Sequence, residues 1–240
     1  MAHIVDERGY NQIFATSAAQ TLRLKRRAEA IIAALPPGNP ASRPRVLEIG
    51  CGTGEMARQL ARQTAGSVTG VDLSPQFIEE ARARHPLDNL DFRVADLTSE
   101  IPGQGDAYDA IVGNGILHHL YRHLDEVLPA LRRWLRPGGR LIFWEPNLWN
   151  PYVYLIFSYK SLRRRAKLEP DEMAFTRDFI QDRLHASGFR TVSVRTRDFL
   201  LPNTPDALVR PLAAVSNVLD HVPLINRTAQ SLFIVAEKPE

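Results

Sequence analysis

The sequence predicts an α/β fold, a parallel sheet covered on both faces, and two observations carry that prediction. Short apolar runs at 46–49, 67–71, 90–94, 110–112 and 140–144 alternate with helix-forming stretches near 55–64, 75–84 and 122–135, the rhythm of repeated βαβ units. The first run, Val46-Leu47-Glu48-Ile49, passes directly into Gly50-Cys51-Gly52-Thr53-Gly54, a turn whose glycines admit positive φ and let a ligand approach the backbone. Glu55-Met56-Ala57-Arg58-Gln59-Leu60-Ala61 follows with strong helix formers. The loop therefore opens a helix whose N-terminal amides face the ligand.

The remaining elements follow in order. Residues 11–35 carry few breakers and end in Leu35-Pro36-Pro37-Gly38, a helix with a hard stop. A Pro-rich linker leads to the first strand. After the fifth strand the rhythm breaks, and 146–174 holds aromatic and basic residues without a period, as an insertion would. Residues 176–186 read as a helix with Thr176 as N-cap and Gly188 ending it. Two late strands, 191–196 and 231–237, alternate apolar and polar residues. Between them, 198–230 is a second excursion with a helix at 206–219.

Composition bounds the function. At 240 residues, 44% apolar and 24% charged, the chain suits one soluble α/β domain. The net charge of +3, with a pI near 9.2, does not call for nucleic acid. The basic clusters Arg23-Leu24-Lys25-Arg26-Arg27 and Arg163-Arg164-Arg165-Ala166-Lys167 read as solvated helix faces, the alternative being an anionic partner. A single cysteine, Cys51, excludes a disulfide framework and a cysteine zinc site. The seven histidines show no ligand spacing with acids, so no metal is expected. No secretory apolar region is visible, and the greasiest window, 141–157, is too broken to span a bilayer. A cytoplasmic protein without an integral membrane segment is the expectation.

Three nucleotide chemistries compete for the glycine loop. A phosphate loop would close in Gly-Lys-Ser/Thr, which is missing. A dinucleotide loop needs a glycine at the sixth position, where counting from Gly50 this chain has Glu55. Glycines at 50, 52 and 54 instead fit a ligand without phosphates, such as a nucleoside carrying an amino acid.

With these residues the chain resembles the class I S-adenosylmethionine-dependent methyltransferases, in particular their small-molecule branch, strongly over 44–145 and weakly elsewhere. The resemblance implies a doubly wound, Rossmann-like sheet of seven strands, mostly parallel with the last antiparallel. It implies one methyltransferase domain over 1–240: an N-terminal helical lid segment (1–38), a cofactor-binding core (44–145) and substrate-side insertions (146–175 and 198–230). It also implies a site. The turn Glu48, Gly50, Cys51, Gly52, Gly54 would run beneath the methionine part of S-adenosyl-L-methionine, with the acid of Glu48 ordering the loop and placing the amino group.

Val71-Asp72-Leu73-Ser74 matches the second motif, whose acid takes both ribose hydroxyls in charge-assisted bonds. Val94-Ala95-Asp96-Leu97 matches the third, with Asp96 for the adenine amino group and the Leu97 amide beside it. Asn114, in the fourth, would line the pocket at the transferred methyl. Tyr10, four residues before Phe14, would lie in the lid.

Methyl transfer from a sulfonium needs orientation, a dry pocket, and a base only where the nucleophile carries a proton. His118 and His119 are the candidate bases, and His119 matches the family position better. Adjacent helical residues diverge, so only one of them should face the pocket. Glu145, at the end of strand five, would hold a substrate hydroxyl or ammonium, or else pair with an arginine. The acceptor is expected to be an O, N or activated C of a small, partly apolar metabolite. Two alternatives stand beside it: a lipid- or carrier-linked anionic substrate met at a surface, with weak surface association, and a non-catalytic cofactor-binding subunit of a partner. Nucleic-acid acceptors are disfavoured, because Gly113-Asn114-Gly115 replaces the Asn/Asp-Pro-Pro-aromatic pattern of amino-methylating enzymes. Oligomeric state is not legible.

Overall fold

A computed structural model describes residues 17–37, 43–97, 108–202 and 204–240. Tyr10 and Phe14 lie outside the described residues, as do the rest of the expected lid segment before residue 17 and the stretch 98–107.

Helix α1 (Ala18–Ala33) leads into β1 (Arg45–Ile49), α2 (Glu55–Gln63), β2 (Ser67–Asp72), α3 (Pro75–Arg84), β3 (Leu90–Val94) and β4 (Tyr108–Asn114). A 3-10 helix (Leu117–His123) then runs into α4 (Leu124–Trp134) and β5 (Leu135–Pro146). The chain continues through α5 (Pro151–Ser158), α6 (Lys160–Arg165), α7 (Arg177–Ala186), β6 (Arg190–Arg197), α8 (Asp206–Leu219) and β7 (Ser231–Glu237). One seven-stranded sheet has the order β3-β2-β1-β4-β5-β7-β6. The pairs from β3 to β5 are parallel, and β7 runs antiparallel to both of its neighbours. The order reverses between β1 and β4, and in such sheets the crevice at the strands' carboxyl ends is where ligands bind.

Burial on both faces explains why the central strands read as continuous apolar runs. Leu47, Ile111, Leu141, Phe143 and Ile234 pack on one side with Leu128 and Leu131 of α4 and Leu184 of α7. Their strand neighbours Val46, Ala110, Val112, Ile142 and Val235 pack on the other with Ile31 of α1, Leu60 of α2 and Ile78 of α3. Period-two alternation thus feeds two cores rather than one core and solvent.

Helix starts follow local chemistry. The hydroxyls of Ser74 and Thr176 accept from the amides three residues on, Phe77 and Phe179, and Pro75 sits at the first position of α3. Gly188, at φ +80°, closes α7.

The insertion after β5 contains two helices that periodicity does not reveal. The sequence of α5, Pro151-Tyr152-Val153-Tyr154-Leu155-Ile156-Phe157-Ser158, is apolar on every face. Val153 and Phe157 are buried while Tyr152, Tyr154 and Leu155 are about half exposed, so no polar side marks a period. Asn150 caps it, its Oδ1 accepting from the Val153 amide at 3.0 Å.

Candidate active site

The glycine turn leaves β1 at the reversal point. Gly50 and Gly54 have φ of +63° and +84°, and a Cβ on them would meet the Ile116 side chain at 2.6 Å and the Phe92 ring at 2.5 Å. Conformation and close packing both require glycine here. Cys51 donates its amide to the Val71 carbonyl at 3.0 Å, and its buried side chain packs with Met56 and Ala57. Burial, with Glu48 and Asp72 adding, pushes its thiol well up.

Asp72 ends β2 facing that turn. One of its oxygens accepts from the Gly52 amide at 2.9 Å and the other from the Ser74 amide at 2.9 Å. Burial raises its pKa, against the pull of these backbone N–H groups. Leu73 beside it is 46% exposed, an apolar surface large enough for a base to cover. Asp96 and Leu97 follow β3 at the same edge, where Leu97 packs against the core.

Glu48 is 2% exposed and its Oε2 has no hydrogen-bond partner among the described residues. Burial raises its pKa well above the usual carboxylate range; an amide bond from Ala57 opposes the rise and the charge of Asp72 adds to it. An orphaned buried carboxyl oxygen is costly unless a ligand completes it.

At the ends of β4 and β5 a second set of groups gathers. Glu145 spends both oxygens on the polypeptide. Oε1 accepts from the amides of Ile116 and Leu117 at 3.0 and 2.7 Å, and Oε2 accepts from the His118 amide at 3.2 Å. The same Oε2 lies 2.9 Å from Nδ1 of His118. A carboxylate at the N-terminus of the 3-10 helix satisfies its orphan amides, so Glu145 fixes where His118 stands.

His119 presents Nδ1 2.9 Å from Oε1 of Glu172, a buried residue of the post-β5 insertion. The two imidazoles do not diverge as helical neighbours were expected to. Their centroids are 4.1 Å apart, and both rings bring a nitrogen near Glu172, just before the kink at Leu120. Phe157 of α5 covers His118 edge-on at 6.1 Å, and the Met173 amide donates to the His118 carbonyl.

Asn114, at the end of β4, accepts at 2.7 Å from Arg27 of α1. Arg27 also donates to Ser231 at 2.7 Å and Asp198 at 3.2 Å, over the Trp144 ring. Arg23 joins Asp198 at 2.8 Å. The first basic cluster is therefore no uniform solvated face: Lys25 is exposed, whereas Arg23 and Arg27 are largely buried. Burial and the charge of Arg23 lower Arg27 to about 10, despite Asp198. Burial would raise Asp198, but Arg23 and Arg27 outweigh it and hold this carboxyl below its usual range.

Sequence reasoning missed Arg27, Asp198 and Glu172. No motif surrounds any of them, and their partners lie 53 to 204 residues away.

A glycine turn at the reversal point, acids at the ends of β1 and β2, and no phosphate-binding lysine define a nucleoside-binding α/β domain. Residues 46–139 match the methyltransferase domain family. Over these residues the chain is similar to class I methyltransferase domains. Trans-aconitate 2-methyltransferase of Streptomyces avermitilis is 37% identical over 116 residues, 46% of this chain and 42% of that protein. Malonyl-[acyl-carrier protein] O-methyltransferase of a Paenibacillus species is 36% identical over 108 residues, 43% of this chain and 39% of that protein. The chain thus spans less than half the length of these curated relatives. A chain from the complex of the Haloferax volcanii Trm112 methyltransferase activator with a methyltransferase shares the fold, with a TM-score of 0.71 at 19% identity over 97% of both chains.

Proposed function

We propose that this protein transfers the methyl group of S-adenosyl-L-methionine to an oxygen, nitrogen or activated carbon of a small, partly apolar acceptor. The observation that carries the reading is the pair of carboxylate-held imidazoles, His118 with Glu145 and His119 with Glu172, at the end of β4 beside Asn114. The site's own residues fit the cofactor. The unpartnered oxygen of Glu48 suits an ammonium, the Asp72 carboxylate suits ribose hydroxyls, and Asp96 with the Leu97 amide would take the adenine edge. The glycine turn would run beneath the methionine part, and Tyr10 would cover it.

The cofactor, when bound, supplies an activated methyl on a sulfonium. Glu172, 2.9 Å from Nδ1, would be the counter-charge of His119 as its Nε2 accepts the acceptor's proton. Glu145 holds His118 and thereby acts as a positioning residue rather than a direct substrate ligand. Phe157 packs edge-on against His118 and shields that imidazole, while His119 keeps access to solvent.

Labelled methyl transfer into metabolite extracts tests the reading. His119→Ala should lower kcat by about 10²–10⁴ for a protonated nucleophile while leaving cofactor affinity unchanged. Cofactor binding with no transfer to any extract would overturn it in favour of a supporting subunit.

A second reading is favoured by α5. Its inner side covers His118 while Tyr152, Tyr154, Leu155 and Tyr159 stand out beside exposed Lys160, Arg164 and Arg165. Aromatic and basic residues so mixed suit an anionic lipid surface and a lipid-linked acceptor. No described helix is long and apolar enough to cross a membrane. Vesicles with anionic lipids should pull the protein down at low salt, and none bound would remove this reading.

A further inference from the structure

We propose that His118, His119 and Glu172 form a binding site for a divalent transition-metal ion. A ring nitrogen of each histidine and a carboxylate oxygen of Glu172 all lie within 4.8 Å of one another. Glu172 is 2% exposed, and among the described residues neither of its oxygens accepts a directed hydrogen bond, although His119 Nδ1 stands 2.9 Å away. That short distance without hydrogen-bond direction is what two ligands of one ion show. Ligand atoms about 2.1 Å from a metal and at right angles to each other are about 3 Å apart. One imidazole at 2.9 Å offsets only part of the desolvation penalty of a carboxylate buried this deeply, and an ion would offset the rest.

The surroundings of His118 point the same way. Its Nδ1 is engaged by Glu145, whose remaining bonds are all to the start of the 3-10 helix. A carboxylate behind an imidazole sets its tautomer and orientation and raises its basicity as a ligand, leaving Nε2 for the ion. Two imidazoles and one carboxylate suit zinc, iron, manganese or cobalt better than magnesium or calcium, which take oxygen ligands. Three protein ligands leave further positions open, and the His119 side chain, 29% exposed, gives them access from solvent. Histidine and acid spacing along the sequence excluded this site because Glu172 arrives from the insertion after β5.

The ion site does not depend on methyl transfer. Where both hold, an acceptor oxygen on an open position would have its pKa lowered by the ion, and His119 would then be a ligand instead of a base.

The test is equilibrium dialysis of EDTA-treated protein against Zn(II) and Co(II). One ion per chain is expected, with visible Co(II) absorption of a four- or five-coordinate nitrogen–oxygen site and a rise in Tm on loading. Glu172→Gln, nearly isosteric, should weaken Zn(II) binding by more than about tenfold. Absence of stoichiometric binding by the unmodified protein would overturn the proposal, as would equal binding by Glu172→Gln, which would place the ion elsewhere. Methyl transfer assayed in EDTA, and cofactor binding by calorimetry, report separately on the proposed function.

Discussion

The two ends of the crevice are built on opposite plans. On the cofactor side the hydrogen bonds of the acid are short in sequence: Asp72 reaches Gly52, 20 residues back, and Ser74, two residues on. Backbone amides do most of the holding. On the acceptor side, Arg27 reaches Asn114, Asp198 and Ser231 across 87, 171 and 204 residues, and His119 meets Glu172 from another element. Side-chain charges do the holding there. A loop folded by its neighbours keeps a readable pattern, whereas a cluster assembled by topology leaves none.

The comparison breaks most visibly at Asp198. Asp198→Ala would leave Arg23 and Arg27 buried without their counter-ion, and breaking such a pair costs about 3–5 kcal/mol. Urea unfolding should show this loss. The pH dependence has a definite sign. With a folded pKa below the unfolded value, the stabilisation from Asp198 is complete above the usual carboxylate range and disappears as pH falls through the lowered value. Asp198→Asn should flatten that part of the acid limb. A loss under about 1 kcal/mol, typical of exposed pairs, would mean that the acceptor side is held by packing.

Next in size is Asp72. Removing its carboxylate forfeits two charge-assisted bonds worth about 1.5–3 kcal/mol each, so Asp72→Ala should weaken cofactor binding by more than about a hundredfold in calorimetry. The same change releases the Gly52 amide, and the loop should exchange hydrogen faster. Unchanged affinity would remove the ribose assignment.

This contrast also explains what was legible. The parallel sheet, its crossover helices and the glycine turn followed from Val46 to Leu97, where β1, β2 and β3 pair in sequence order. Thr176 was recognisable as a cap because a cap is a three-residue event. The α5 helix was not legible, since its outward Tyr152, Tyr154 and Leu155 erase the period that marks a surface helix. Arg23 and Arg27 resembled a solvated face because the acid that buries them, Asp198, lies beyond β6. Glu145 looked like a substrate ligand from its place at a strand end, and its capping of the 3-10 helix depends on a neighbouring strand's exit.

Glu48 sharpens the comparison through pH. Burial raises this carboxyl, so the cofactor-free fold loses stability as pH rises through its elevated pKa. An ammonium beside it would pull that pKa back down, and binding would release a proton. Between the bound and free pKa values, cofactor affinity should therefore rise by up to about tenfold for each pH step of one. Calorimetry in buffers of different ionisation enthalpy measures the released proton. Glu48→Gln should abolish the release, and an unaltered release would assign it to another group.

The smallest effect separates capping from binding within three residues. The Ser74 hydroxyl accepts from Phe77 at the start of α3, while its amide donates to Asp72. Ser74→Ala removes the first bond and keeps the second, since an alanine amide donates equally well. It should cost about 1 kcal/mol of stability and leave cofactor affinity where it was. If affinity instead fell as far as in Asp72→Ala, the Asp72 carboxylate would act only by shaping the β2–α3 turn. The cofactor side would then depend, like the acceptor side, on the fit of surrounding structure rather than on the acid itself.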